Sequence, residues 1–278
     1  MLLDLTIVIP VRNEALNLSH CLEAIGKNWV KKIVVVDSSS TDATQEIAKT
    51  FGAEVLNFNW DGKYPKKRNW FLLEHTPRTE WVLFLDADEF LTPAFKNELA
   101  SCISSNSSFD AYWLRYSIYF MGRPLKGGYP LDKLALFKVG KGLYEKIDEN
   151  QWSNLDMEIH EHPVIDGKVG RITSKIEHKD FKGIEHYVAK HNEYAWWEAA
   201  RFLKSQKDPA IRKAWTWKQK LKYKLMETPF TGIAYFIGSY IFLGGFRDGL
   251  RGLAFALLKM AYFTQVYCKI RELGKSAS

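Results

Sequence analysis

The chain has 278 residues, of which 46% are hydrophobic and 26% charged, a composition that excludes an intrinsically disordered protein. Its three cysteines, Cys21, Cys102 and Cys268, lie far apart without the spacing of metal ligands, which argues against a disulfide framework or a zinc site and favours a reducing compartment. The net charge of +7 is concentrated in residues 201–278, which hold 15 Lys and Arg against 4 Asp and Glu.

Strands and helices alternate through the first 90 residues. Four apolar runs are too short for helices and predict buried strands: Leu5–Ile9, Ile33–Val36, Glu54–Phe58 and Trp81–Leu85. A helix is predicted after Asn17, and a second over Ala43–Phe51, capped by Ser40-Thr41-Asp42 and ended by Gly52. This alternation predicts an α/β fold with a parallel sheet, in which ligands bind beyond the carboxyl ends of the strands.

The pattern changes after Phe109. As far as about Lys182, short aromatic-rich runs broken by Gly and Pro predict mixed sheet and loops that complete the same domain. Ile184 to Lys204 then predicts a helix, with one face formed by Tyr187, Val188, His191, Tyr194, Ala195 and Phe202.

Polar residues follow the first two predicted strands. The first strand ends in Pro10-Val11-Arg12-Asn13-Glu14, and the second in Asp37-Ser38-Ser39-Ser40-Thr41-Asp42. These clusters suit two walls of a nucleotide pocket, in which Asp37 accepts from the imide N–H of uracil and Arg12 supplies positive potential. Taken alone, Asp37 and Asp42 suit capping of the next turn or helix better than a nucleotide contact. Neither cluster is a GxGxxG or Walker A loop, which disfavours dinucleotide enzymes and ATP motors.

The fourth strand carries the strongest local signal, because Asp86-Ala87-Asp88-Glu89 follows the apolar run Trp81–Leu85. On an extended chain Asp86 and Asp88 would lie on one side, where two carboxylates can hold Mg²⁺ or Mn²⁺. A single DxD is often only a turn, but its position as the third polar strand end favours a metal site.

A basic loop, Tyr64-Pro65-Lys66-Lys67-Arg68-Asn69, lies between the second and fourth strand ends. It suits either a solvated loop or contacts from Lys66 and Arg68 to phosphates. The neighbouring motifs favour Arg68 as the phosphate contact.

In order, IVIPVRNE, VVVDSSSTDAT, KKRN and FLDADE resemble the pattern of glycosyltransferase family 2, densely over about the first 90 residues. The resemblance implies an inverting enzyme with a GT-A fold, a Rossmann-like, mostly parallel sheet flanked by helices. It implies that Asp37 contacts uracil and that Asp88, with Asp86, binds a divalent cation, Mg²⁺ or Mn²⁺. The predicted donor-binding residues are Pro10, Arg12, Asn13, Glu14, Asp37, Ser39, Lys66, Arg68 and Asp86. Lys66 and Lys67 replace the small residues that usually precede Arg-Asn in the family.

The stretch Asp156–His162 supplies the candidates for the base that an inverting transfer needs. It resembles the His-Glu element of the branch of the family that builds lipopolysaccharide core and other cell-surface glycans. On this resemblance we predict Glu161 as the base, with Glu158 and Asp156 as alternatives. His160, His162 and His178 are further candidates as metal or phosphate ligands, and His160 is our predicted third metal ligand.

The C-terminal region combines cations with aromatic and apolar residues. Six cations between Ile211 and Met226 alternate with Trp and Tyr, and 17 uncharged residues follow, Phe230–Phe246. Such apolar length suits a membrane surface and not nucleic acid, and in-plane or re-entrant helices are favoured over full spans because the run is short and rich in glycine. A helical pair packed on the catalytic domain or on a dimer partner is the alternative. The element Gly245-Phe246-Arg247-Asp248-Gly249 resembles one in the same branch, which implies a lipid-linked acceptor.

Together these patterns predict a GT-A catalytic domain in residues 1–205 and a membrane-associated helical region in residues 206–278, with contacts to the membrane through 211–268. The predicted reaction moves a hexose from a UDP-sugar to a lipid-linked saccharide. Because residues 1–10 lack the basic region of a signal peptide, we expect the cytoplasmic face of a bacterial inner membrane, with peripheral or monotopic attachment. The alternatives are a membrane-bound nucleotide-sugar-binding protein without turnover and a sugar-phosphate nucleotidyltransferase, whose usual glycine-rich loop is absent.

Overall fold

The computed structural model describes residues 2–104, 107–146, 156, 163–207 and 217–276. The chain divides into two compact units, one formed by Met1–Tyr119 and Leu131–Phe181, the other by Phe120–Pro130 and Lys182–Ser278. The long helix that begins at Gly183 is grouped with the second unit. Our functional division at residues 205 and 206 stays a prediction.

Strands and helices alternate in the first half of the chain, as predicted. The strands are β1 (Leu3–Val11), β2 (Val30–Asp37), β3 (Glu54–Asn57), β4 (Trp81–Phe84), β5 (Glu89–Phe90), β6 (Ala111–Phe120), β7 (Arg123–Pro124), β8 (Leu131–Lys138), β9 (Gly142–Tyr144), β10 (Pro163–Ile165) and β11 (Val169–His178). The helices between them are α1 (Ala15–Ile25), α2 (Thr44–Phe51), α3 (Lys67–Glu74) and α4 (Pro93–Ser104).

The main sheet is mixed and mostly parallel, with the strand order β3-β2-β1-β4-β8-β6-β11-β5. Strand β1 lies parallel to both β2 and β4, and its register pairs Val11 with Asp37 and Val8 with Phe84. Strand β8 is antiparallel to β4 and β6, whereas β11 is parallel to β6 and antiparallel to β5. The carboxyl ends of β1, β2 and β4 therefore meet at one edge.

The strands are continuous apolar runs because the sheet is covered on both faces. In β1, Ile7 and Ile9 pack in one core cluster with Leu18 and Leu22 of α1. The alternate residue Val8 lies in a second cluster with Phe71 of α3. A strand that is buried on both faces cannot show the polar alternation of a half-exposed strand.

Two local predictions about helices were wrong. Helix α1 begins at Ala15, so Asn17 lies inside its first turn, where its side-chain amide donates to Glu14 Oε2 at 2.9 Å and to Asp180 Oδ1 at 3.1 Å. These bonds explain why Asn17 is buried. The helix predicted over Ile184 to Lys204 is confirmed, and Ala195 and Phe202 of its predicted face are buried, but the assignment of Val188 to that face was wrong because Val188 is exposed.

The second unit is helical. Its helices are α5 (Gly183–Lys207), α6 (Trp217–Met226), α7 (Thr231–Phe236), which continues as a π-helix over Ile237–Phe242, a 3₁₀ turn at Gly245–Asp248, and α8 (Gly249–Ser276). Their core is built from Ala195, Ala199, Phe202, Tyr223, Met226, Tyr262, Val266 and Ile270. Over the residues that the structure describes, none of these helices has both the length and the hydropathy needed to cross a membrane.

The Asp248 carboxylate fastens the segment Phe120–Pro130 within this unit. It is buried and accepts the backbone N–H groups of Lys126 at 2.8 Å and Gly127 at 3.2 Å. The N–H of Gly128 donates to the carbonyl of Leu243 at 2.8 Å. The element that runs from Gly245 to Gly249 therefore has a structural role. At Gly245 its backbone lies so close to Gly128 and Gly252 that a side chain at either of these two glycines would collide with it.

We expect Gly252→Ala to lower the melting temperature by several degrees, because a Cβ at this position would collide with the carbonyl oxygen of Gly245 and overpacking costs about 1–3 kcal/mol. Gly238→Ala is the matched control, since a Cβ there meets no described atom within 4 Å. Thermal unfolding followed by circular dichroism would compare the two variants. Equal melting temperatures would contradict the close approach at Gly252.

Candidate active site at the carboxyl ends of the strands

The polar clusters after β1 and β2 are bonded to each other. The backbone N–H of Asn13 donates to the Ser40 hydroxyl at 2.8 Å, and the Asn13 side-chain oxygen accepts from the N–H of Thr41 at 2.8 Å. The N–H of Glu14 donates to the Thr44 hydroxyl at 2.8 Å. The predicted walls therefore form one connected rim, held by the parallel register of the two strands.

Asp37 is fully buried at the end of β2. Its carboxylate accepts from the N–H of Ser40 at 3.0 Å, from the Ser40 hydroxyl and from Gln45 Nε2 at 2.7 Å. Asp42 similarly accepts from the N–H groups of Thr44 at 3.0 Å and Ala15 at 3.1 Å. Both aspartates thus perform the capping role that was the simpler interpretation, and the contact of Asp37 with uracil stays a prediction.

The other predicted residues of this rim differ in exposure. Pro10 is buried in β1, Glu14 is half-buried, and Arg12 is exposed at the surface. Asn13 and Ser39 are also exposed and have φ angles of 54° and 55°, in the left-handed region that non-glycine residues seldom adopt. Such conformations persist where surrounding contacts fix them, often at functional sites.

The basic loop leads into helix α3. Lys66 is buried at the N-cap, and Lys67 is buried with its ammonium donating to the carbonyl of Val11 at 3.0 Å. The same ammonium lies 3.2 Å from Asp156 Oδ2. Lys67 therefore ties the end of β1 to Asp156, whereas Arg68 reaches the third strand end.

Asp86 lies between two cations. Its carboxylate accepts from Arg68 Nη2 and from Lys133 Nζ, each at 2.7 Å. Burial alone would raise the pKa of Asp86, but the charges of Lys133 and Arg68 outweigh this effect and hold the pKa well below its usual value. Asp86 is therefore ionised, and two cations meet at the same point of the site.

Lys133, on β8, was missed by the sequence analysis. Besides Asp86 it pairs with Glu89, whose side chain is 1% exposed, and it lies over the ring of Tyr116. Burial raises the pKa of Glu89, against the opposing charge of Lys133. Lys133 follows Asp132 in an ordinary strand pattern, and we find no sequence signal that marks it.

The DxD segment is not extended. Strand β4 ends at Phe84, and the chain turns at Ala87–Asp88 before β5, with the N–H of Glu89 donating to the carbonyl of Asp86 at 3.0 Å. The two carboxylates consequently have different partners, and Asp88 Oδ2 lies 2.9 Å from His178 Nε2. The expectation that both share one side of a strand was wrong in this respect.

His178 lies next to Asp88 because β11 pairs with β5, with His178 opposite Glu89. Burial would lower the pKa of His178, but the Asp88 carboxylate raises it above the usual value. The other ring nitrogen, Nδ1, is buried without a hydrogen-bond partner among the described residues. Of the three histidines considered from the sequence, His178 is the one that the structure places at the DxD.

Among the described residues no group of three or more His, Cys, Asp and Glu side chains has the arrangement of a metal site. Asp88 and His178 nevertheless offer one oxygen and one nitrogen donor at the same place. A cation that also binds phosphate oxygens and water needs only one or two protein carboxylates. This donor set therefore fits a nucleotide-bound divalent cation.

The predicted bases Glu161 and Glu158 and the predicted metal ligand His160 lie outside the described residues. Their roles stay predictions. The alternative base Asp156 is described, and its backbone oxygen accepts from the N–H of Lys67 at 3.1 Å. Since its carboxylate also faces the Lys67 ammonium, Asp156 serves to anchor this part of the chain.

Comparison with known proteins finds similarity to glycosyltransferases. Residues 6–129 match the family model described as Glycosyl transferase family 2. The lipopolysaccharide core biosynthesis glycosyltransferase LpsC of Rhizobium meliloti is 26% identical over 97% of this chain and 93% of its own length. An uncharacterized glycosyltransferase of Rickettsia prowazekii, RP128, is 27% identical over 72% of this chain and 68% of its own length.

Among solved structures, the mannosyltransferase PcManGT from Pyrobaculum calidifontis, in complex with GDP-Man and Mn²⁺, has a TM-score of 0.51. It is 16% identical and covers 97% of this chain and 87% of its own. At that identity the similarity shows the fold, and the mixed, mostly parallel sheet with flanking helices is the GT-A arrangement.

We expect Lys133→Gln to destabilise the protein by about 3–5 kcal/mol, because it leaves the buried Glu89 carboxylate without its cation. The control is Lys31→Gln, which removes a pair with Asp4 whose side chains are both about half exposed and which is worth about 1 kcal/mol or less. Chemical denaturation of both variants measures the difference. If Lys133→Gln costs no more than Lys31→Gln, the ion cluster does not hold the site together.

Proposed function

We propose that this chain, which belongs to glycosyltransferase family 2 through residues 6–129, is an inverting hexosyltransferase that uses a nucleotide-sugar, in our proposal a UDP-hexose. The acceptor is a lipid-linked saccharide in the biosynthesis of lipopolysaccharide or another cell-surface polysaccharide. The observation that carries the proposal is the meeting of three polar strand ends, after β1, β2 and β4, at one edge of the sheet. Arg68 and Lys133 supply the cations at this edge.

The charges suit a diphosphate. Asp86 holds Arg68 and Lys133 within hydrogen-bond distance of one carboxylate, and this places two positive charges where a leaving nucleoside diphosphate needs them. Arg68 also lies over the ring of Tyr144, at 5.3 Å, which fixes its guanidinium. Cations held in advance in this way stabilise developing negative charge without reorganising during the reaction.

Asp88 and His178 are the described residues that would hold a divalent cation, Mg²⁺ or Mn²⁺, with Asp86 close by. Such a cation supplies charge neutralisation for the diphosphate leaving group. The presence of Mn²⁺ with GDP-Man in the mannosyltransferase of similar fold supports this assignment. That protein binds a guanine nucleotide, so our preference for uracil rests on Asp37 and on the family resemblance.

The proton of the acceptor hydroxyl needs a base on the acceptor side of the site. We propose Glu161, with Glu158 as the alternative. The bonds between Asp156 and Lys67 support this placement, because they anchor the chain just before both glutamates beside the end of β1. A carboxylate there would take the proton as the sugar is transferred.

The relative named for lipopolysaccharide core biosynthesis supports a cell-surface glycan as the product. The basic and aromatic residues between 211 and 268 support attachment to a membrane surface. We therefore place the enzyme at the cytoplasmic face of a bacterial inner membrane, bound peripherally or monotopically, where a lipid-linked acceptor is accessible.

The metal assignment is tested by donor binding. We expect UDP-hexoses to raise the melting temperature of the wild-type protein with Mn²⁺ but not with excess EDTA, since a ligand that binds only the native state stabilises it. Asp88→Asn should abolish the shift while keeping the fold, and Asp166→Asn, at an exposed carboxylate, should retain it. Donor affinity within about twofold of wild type in Asp88→Asn would exclude the role. A shift with GDP-mannose alone would reject uracil.

The base assignment is tested by comparing two glutamine variants. Glu161→Gln keeps the shape of the side chain but cannot accept a proton, so turnover should fall by about 10²–10⁴-fold with donor binding unchanged. Glu158→Gln is the matched control and should keep its turnover. Release of UDP in the presence of a lipid-linked acceptor measures both. The reverse result would transfer the role to Glu158, and no loss in either variant would place the base elsewhere.

A further inference from the structure

Apolar side chains are exposed at an unusual density between α7 and α8. Four of them surround the 3₁₀ turn, and we call this group the apolar tip: Phe242, Leu243, Phe246 and Leu250. Phe242 is 81% exposed, Leu250 is 84% exposed and Phe246 is 56% exposed. Large hydrophobic residues exposed together in this way mark an interaction surface.

A second set of exposed residues leads to the tip along one helical face. Phe230, Ile233, Ile237 and Ile241 are spaced by three or four residues and are all exposed, and we call them the apolar stripe. Residues 228–246 contain no charged side chain. A helix packed on its own domain would turn this face inward, whereas here it is the face that water would contact.

The exposed charges nearest the tip are positive, whereas Glu227, just after α6, is an exposed acidic residue near the start of the stripe. Arg247 is exposed within the tip, and Lys220 and Lys224 are exposed on the preceding helix α6. Asp248, the acidic residue nearest the tip in sequence, is buried and bonded to the backbone of Lys126 and Gly127. The tip is therefore apolar with a cationic border, which complements an anionic bilayer.

The length of the exposed region limits how deeply it enters. The twelve residues Thr231–Phe242 form one helical rod, at most about 18 Å long, which is well short of the roughly 30 Å of hydrocarbon in a bilayer. The chain then reverses at Gly244, with φ of 75°, and returns through the 3₁₀ turn into α8. A rod that turns back after this length suits one leaflet.

From these observations we propose that the apolar tip inserts into the cytoplasmic leaflet of an anionic membrane, with the apolar stripe lying in the interface and Arg247 at the headgroups. The inference rests on the proposed membrane attachment and names the part of the chain that enters the lipid. A second copy of this chain is a poorer occupant, because a two-fold interface through the tip would oppose the same cations in both copies.

The test uses the full-length protein and vesicles of phosphatidylethanolamine with phosphatidylglycerol. Phe242→Gln/Leu250→Gln should lower vesicle partitioning by about tenfold or more at both low and high salt, because apolar burial is insensitive to screening. Arg247→Gln should weaken binding only at low salt and only to anionic vesicles. Leu73→Gln/Val164→Gln replaces exposed apolar residues of the first unit and should bind as wild type does.

Two outcomes would overturn the inference. One is unchanged partitioning of Phe242→Gln/Leu250→Gln, and the other is a change from dimer to monomer in this variant with vesicle binding intact, which would make the tip a contact between copies. Both side chains are largely exposed, so melting temperatures should match wild type and exclude misfolding. Donor-dependent thermal shifts, measured on the wild type and the same variants, keep the two proposals separate. If the wild type binds no donor, the proposed transferase is rejected while the vesicle result still stands.

Discussion

The site depends on one constraint, the parallel register of β1 with β2 and β4. Because Val11 pairs with Asp37 and Val8 with Phe84, the residues after all three strands emerge at the same edge of the sheet. The apolar side chains of these strands alternate between two core clusters, and a one-residue slip would exchange the residues that each cluster is packed to hold. The core of the sheet therefore fixes the relation between the polar rim and the DxD turn.

At that edge the electrostatics are arranged around carboxylates. Asp86 and the buried Glu89 share Lys133, Asp86 also binds Arg68, and Asp88 pairs with His178. Buried charges are tolerated only when they are paired, so each of these side chains fixes the position of another. The chemistry of donor binding, in our proposal, uses charges that the fold itself needs to keep balanced.

In the helical unit, backbone contacts take the role that paired charges have at the site. Asp248 and the glycines around it join the segment Phe120–Pro130 to the turn before α8 through backbone contacts. With the backbone fixed in this way, the side chains of the same turn are left to face outward as the apolar tip. One short sequence element thus supplies both an internal anchor and an external surface.

The sequence alone determined the α/β alternation, the first four strands and the order of the polar strand ends, because apolar runs and caps are local patterns. The resemblance to glycosyltransferase family 2, whose model matches residues 6–129, was also visible in those motifs. The DxD was found, but its turn was not, since whether a chain stays extended depends on what pairs with it. Only the tertiary structure brought in Lys133, and only it singled out His178 from the candidate histidines by placing it against Asp88. The two residues follow Asp88 by 45 and 90 positions. Their strands, β8 and β11, lie beside the DxD because β8 pairs antiparallel with β4 and β11 pairs antiparallel with β5. The register of these pairings decides which side chains complete the site at the sheet edge, and no local sequence pattern encodes that register.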